Sequence, residues 1–173
     1  MDLRYPIGSF HFDGQPSEPQ LKQFISDIEQ MPARLRAALA GLSEEQLETP
    51  YRPGGWTVRQ VAHHLPDSHM NGYVRMKLAL TEDNPTIKSY DEGRWAETPD
   101  VLATPVEVSL TMLEALHQRW VALLKELKAA DFARTFMHPE SGAWTLGKYV
   151  ALYSWHGKHH VAHITSLRER MGW

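Results

Sequence analysis

The chain of 173 residues contains no cysteine, which excludes disulfides, thiolate metal ligands, a cysteine nucleophile and a redox-switching thiol together. Any metal has to be held by histidine or carboxylate. There is no excess of positive charge: 18 Lys and Arg stand against 21 Asp and Glu, a formal charge of −3. No basic surface is therefore expected to hold a polyanion, and nucleic acid is not an expected partner. No apolar run approaches the roughly 20 residues of a membrane helix, and the opening Met-Asp-Leu-Arg-Tyr-Pro lacks the apolar centre of a signal peptide. These absences predict a cytoplasmic protein with no membrane partner. With 42% hydrophobic residues the length suits one domain over residues 1–173 with an ordinary core. Histidine, by contrast, is abundant: ten residues, four of them between positions 156 and 163.

The first 16 residues carry Pro6, Gly8, Gly14 and Pro16 without periodicity. They predict an irregular arm, packed by Tyr5, Ile7 and Phe10, with no strand partner. Leu21, Phe24, Ile25, Ile28, Met31, Leu35 and Leu39 then recur at spacings of three and four, which marks an amphipathic helix. Pro32 withholds the donor that would reach the carbonyl of Ile28 and should bend this helix. Gly41 ends it, and Ser43-Glu-Glu-Gln46 has capping-box form. After a Pro- and Gly-rich loop over 49–55, Thr57-Val-Arg-Gln60 is a second capping box, and the helix it opens runs to about residue 81. Residues 82–103, with little periodicity, form a long crossover. A third helix is expected from about Pro105 to Lys128. The fourth starts at Thr145, after a turn over Pro139–Gly142, and ends near Gly172. With no convincing strand, the fold class is all-α: a four-helix bundle with a long crossover between helices two and three.

On the fourth helix, Trp-His-Gly-Lys-His-His-Val-Ala-His-Ile contains two pairs at i,i+4, His156/His160 and His159/His163. Residues four apart lie one above the other, so either pair can converge on one ion. At about 100° per residue, the apolar face formed by Tyr149, Leu152, Tyr153, Ile164 and Leu167 favours His156 and His160, and turns His159 and His163 toward its edge. A third ligand is best sought on the second helix among His63, His64 and His69. His64 shares a partly polar stripe with Ser68, Asn71 and Arg75, which suits a residue lining a cleft, whereas His63 projects toward solvent or a loop. Three histidines with an open position make catalytic rather than structural geometry. The residues by themselves leave the alternative of ordinary hydrogen-bonded histidines open.

The segments DLRYPIGSF, YRPGGWTVRQVAHHLPDSHMN, YDEGRWAE, LHQRW and WHGKHHVAHI, in that order over nearly the whole chain, together resemble YfiT-type proteins of the DinB-like superfamily. The resemblance implies an up-down bundle, a homodimer and one divalent metal on three histidines. Carried over by position, these are His64 before Leu65, His156 after Trp155, and His160. It also implies a metal-dependent hydrolase acting on a small molecule. The wider superfamily implies an alternative, transfer of a low-molecular-weight thiol such as bacillithiol to an electrophile. In the first the open position activates water; in the second it holds a thiolate. A reading of another class is a metal or small-molecule binding module without turnover. Zn²⁺ is the expected ion, and Ni²⁺ also suits imidazole ligands.

Asp67 and Arg75 are candidates to touch substrate or support the site, Ser68 and Asn71 offer polar groups, and Trp95 is a candidate lid. Trp56, Trp120 and Trp144 read as core. Pro66 departs from what a helix interior normally admits and lies two residues from His64, where a kink would aim or displace that ligand.

Overall fold

Side-chain caps start the helices where the sequence places them. Ser43 accepts the backbone N–H of Gln46, Thr57 that of Gln60, and Thr145 that of Lys148, each filling one of the donors a helix leaves unpaired at its start. The computed structural model describes residues 2–173. Four long helices carry it: α1 (Glu18–Leu39), α3 (Val58–Thr81), α6 (Val106–Glu126) and α8 (Leu146–Met171). Both α1 and α3 pack against α6 and against α8, which closes a four-helix bundle. Pro66 does not break α3, which runs unbroken through it.

The long crossover is present, and it is more ordered than its composition suggests. It contains α4 (Glu92–Trp95) and α5 (Pro99–Ala103), and α2 (Glu44–Leu47) and α7 (Ala129–Phe132) are further single turns. One expectation is corrected: strands do occur. β1 (Thr135–His138) pairs antiparallel with β2 (Gly142–Thr145), with Phe136 opposite Trp144. Four-residue strands are too short to display the alternation that identifies a strand in sequence. Their driving force is tertiary, since Phe136 is fully buried against Tyr149. The start of the crossover joins this hairpin, because Met137 N–H donates to the Pro85 carbonyl and Ile87 N–H to the Met137 carbonyl. That pairing fixes Lys88, Ser89 and Tyr90, which follow directly.

Two apolar clusters fill the bundle. One contains Leu35, Val58, Leu65, Leu113 and Ile164; the other contains Ile28, Met76, Trp120, Phe136 and Tyr149. Burying each such side chain contributes about 1.5–3 kcal/mol. Two glycines allow the helices to approach closely. A Cβ on Gly72 of α3 would lie 2.4 Å from the Tyr153 ring of α8, and one on Gly157 of α8 would lie 2.6 Å from Cγ of Met31 on α1. Along α3, α6 and α8 alike, residues of the two clusters are separated by a buried or half-buried histidine: His69, His117 and His156.

Among the described residues the N-terminal arm has no strand partner, and it crosses α8. Phe10 packs against Trp144 and Trp155, Trp155 Nε1 donates to the Gly8 carbonyl, and Tyr5 reaches His159. Ile7, expected to pack, remains 45% exposed; Tyr5 and Phe10 make the arm's ring contacts with α8 instead.

Candidate metal centre

α3 supplies His64, and α8 supplies His156 and His160 one turn apart. One nitrogen from each of the three lies within 4.8 Å of the others, so the group can hold a metal ion. The donor set fits. The Nε2 atoms of His64 and His156 are 3.4 Å apart, close to the separation of about 3.3 Å that two nitrogens adopt on a tetrahedral zinc ion. Burial, followed by the neighbouring imidazoles, pushes His156 and His160 well below the usual histidine range, and burial together with His159 pushes His64 down to about 4. All three are therefore neutral at pH 7, the form in which imidazole has a lone pair to offer.

Two histidines that sequence reasoning left without a role stand behind His156. His117 Nδ1 lies 2.6 Å from the Ile28 carbonyl, His117 Nε2 lies 2.8 Å from His69 Nδ1, and His69 Nε2 lies 3.2 Å from His156 Nδ1. A carbonyl only accepts, so His117 Nδ1 carries the proton. Burial holds His117 neutral, with its pKa down at about 4, which leaves its Nε2 bare to accept from His69 Nδ1–H. His69, fully buried and also far below the usual range because of burial and then its histidine neighbours, has a bare Nε2 that accepts from His156 Nδ1–H. The Nε2 lone pair of His156 is thereby turned toward His64. The carbonyl that anchors this series is free because Pro32, four residues on, has no N–H to give it. A mid-helix proline in a buried helix is the signal that could have pointed to His117: it releases a carbonyl that some buried donor must satisfy.

The three histidines open into a cleft of about 550 Å³. Trp56 lines it, its ring 4.7 Å from that of His64, so this residue belongs to the cleft wall rather than to the core alone. Trp120 is fully buried, as expected, and Trp144 packs partly buried on the second cluster. Arg75, Ser68, Ser89, Tyr90 and Tyr153 also line the cleft, and the hairpin brings His138 and Glu140. Asp67 does not line it. Burial and Asp100 raise its carboxyl to about 6, on the side of α3 that meets α5. Asn71 is likewise outside the cleft and donates to the Asp67 carbonyl. Trp95, the candidate lid, does not line the cleft; it packs at a tilt against Tyr90, with ring centres 4.5 Å apart.

His63 is buried, contrary to the alternative of a solvent position, with Nδ1 2.7 Å from the Ser109 hydroxyl of α6. The second pair on α8 also lines the cleft, but its own contacts are with the N-terminal arm, Tyr51 and Trp155. His163 Nε2 is 3.1 Å from the Arg4 carbonyl, and its ring stacks on Tyr51 at 3.9 Å. His159 stacks on Trp155.

Comparison with known proteins agrees with this architecture. Residues 27–164 match the DinB superfamily. A protein of Bacillus mycoides (strain KBAB4) named "putative metal-dependent hydrolase" is 58% identical over 172 residues, 99% of each chain. One of the same name from Oceanobacillus iheyensis is 54% identical over 173 residues, 100% of each chain. Among solved structures, YfiT from Bacillus subtilis, described as a probable metal-dependent hydrolase with an unusual four-helix bundle topology, superposes with a TM-score of 0.97. It is 48% identical and covers 100% of this chain and 99% of its own. The four-helix bundle protein TT2238, at 21% identity, has a TM-score of 0.57 over 84% of this chain and 98% of its own, and shares the fold.

Proposed function

The chain belongs to the DinB superfamily, and on that premise we propose that it is a metal-dependent hydrolase whose ligands are His64, His156 and His160. The observation that carries this reading is the convergence of three neutral imidazoles, from two helices, at one cleft. Zn²⁺ is the proposed ion, because three imidazoles with one position left over match its catalytic coordination.

His64, His156 and His160 would hold a divalent ion, which when bound would supply Lewis acidity toward a substrate oxygen and lower the pKa of water toward 7. The chain's own residues prepare for that chemistry. His117 and His69 hold the His156 ring in one tautomer, which removes the need to reorient it when the site is filled. Trp56 covers the His64 ring and limits water on that side. Tyr153 donates to the Ser68 carbonyl, tying α8 to α3 at the level of the site and fixing the spacing between His64 and the pair on α8.

The test is metal analysis of protein purified without a nickel column, followed by assay of activated esters and amides with and without the ion. One ion per chain and hydrolysis that vanishes on chelation and returns with Zn²⁺ are the expected results. Turnover that requires an added thiol, with no hydrolysis in its absence, would replace this reading by thiol transfer. Stoichiometric metal with no turnover of either kind would replace it by a binding module.

A further inference from the structure

We propose that Arg75 makes the cleft selective for substrates carrying an anionic oxygen group, a carboxylate or a phosphate, set apart from the bond that is cleaved. This inference deepens the hydrolase reading, since it concerns the same cleft. Arg75 is 91% buried (9% exposed) and lines the cleft, yet among the described residues no ion pair includes it. Its neighbours are neutral. Nη2 donates to the Lys88 carbonyl, the Tyr90 ring lies 5.8 Å from the guanidinium carbon, the Tyr149 side chain is near, and Nε makes no hydrogen bond among the described residues.

A guanidinium does not escape burial by losing its proton. Holding it without a counter-charge is unfavourable, a cost that a structural role does not explain when a carboxylate partner would remove it. The other buried arginine shows the contrast, since Arg59 is paired with both Glu44 and Glu48. Elsewhere in the lining, Arg4 and Arg52 also have no carboxylate partner among the described residues, and the acidic lining residues, Glu92 and Glu140, are exposed, as Arg4 is. A substrate oxyanion would supply the missing charge in the fork geometry that guanidinium presents.

The binding readout needs neither turnover nor bound metal. The metal-free full-length protein, labelled with ¹⁵N, is titrated with succinate, with inorganic phosphate and with neutral succinamide, while the arginine Nε–H signals and the Tyr90 ring signals are followed. Saturable shifts at Arg75 and Tyr90 with succinate, with phosphate or with both, and none with succinamide, are expected; the effective anion identifies the group. In Arg75→Gln, folded by its thermal melt and still taking up Zn²⁺, binding read at Tyr90 should weaken at least about 30-fold. Equal anion binding in that variant would overturn the proposal, as would wild-type shifts that fail to saturate or that succinamide reproduces. If the variant does not fold, the wild-type contrast between succinate and succinamide decides alone. Anion binding that persists in a protein without metal-dependent turnover would remove the hydrolase reading and leave this site standing.

Discussion

His156 and His160, one turn apart on α8, face His64 of α3, whereas His159 and His163, one turn apart on the same helix, face the N-terminal arm. The chemistry and spacing of the two pairs are identical. What differs is the element that approaches from outside: α3 brings a third imidazole to the first pair, and the arm brings the Arg4 carbonyl and the Tyr5 ring to the second. Spacing makes a histidine pair available for a metal, and the neighbouring segment decides whether that use is realised.

The contrast is broken most severely by removing a member of the inner pair. His156→Ala or His160→Ala should lower Zn²⁺ affinity by more than the roughly 100-fold that loss of a supporting partner costs, read by calorimetry and metal content. Full stoichiometry in either variant would reassign the ligands. Acid tests how dry the inner histidines are. Burial holds His117 at about 4 against the ordinary 6.5, so below pH 6.5 the unfolded chain takes up a proton that the folded chain refuses. The metal-free protein should keep this contribution above pH 6.5 and lose it progressively as the pH falls toward 4. The loss should be about 3 kcal/mol for His117, measured by denaturant unfolding across that range. A stability independent of pH between 6.5 and 4 would show that the interior is wet.

A subtler break lies behind the inner pair. His117→Phe should weaken Zn²⁺ binding by about 10- to 100-fold without touching a ligand, and nitrogen shifts of His156 should show that its tautomer is no longer unique. Unchanged affinity would mean that the three rings are merely packed together. The smallest effect belongs to the outer pair. His163→Ala should leave metal binding within a few-fold while costing about 1 kcal/mol for the lost hydrogen bond to Arg4. Faster hydrogen exchange confined to the arm would register that loss. A metal defect as large as that of His156→Ala would erase the distinction between the pairs.

The helices were legible because their signals are local. The caps at Ser43, Thr57 and Thr145 and the apolar stripes of α1 and α6 are written within a few residues of where they act. The convergence of His64, His156 and His160 was legible in part, since the helical wheel ranked the pairs, the partly polar stripe of the second helix favoured His64, and the family resemblance named the same three. The hairpin was not, because four-residue strands are stabilised by Phe136 meeting Tyr149 of another element. Asp67 was misplaced, and the cleft-facing side of Trp56 was missed beside its core packing, for a related reason: local pattern gives a direction in space but not what the crossover and the 49–55 loop will place there. His69 and His117 carried no local mark, since their roles depend on a carbonyl in α1.

The series from Ile28 through His117 and His69 to His156 has a polarity and a closed end. A row of imidazoles conducts protons only if each ring can take one in as it gives one up, and that requires a terminus able to exchange with water. Here the inner terminus is an amide oxygen, which has no proton to lend and releases none. The row therefore serves as a brace and not as a wire: reversing it would require all three rings to change tautomer and would leave two lone pairs facing each other at Ile28. Protons liberated by the proposed chemistry would have to depart by way of the cleft itself, and the bundle interior is insulated from it by a proline that lies outside the cleft.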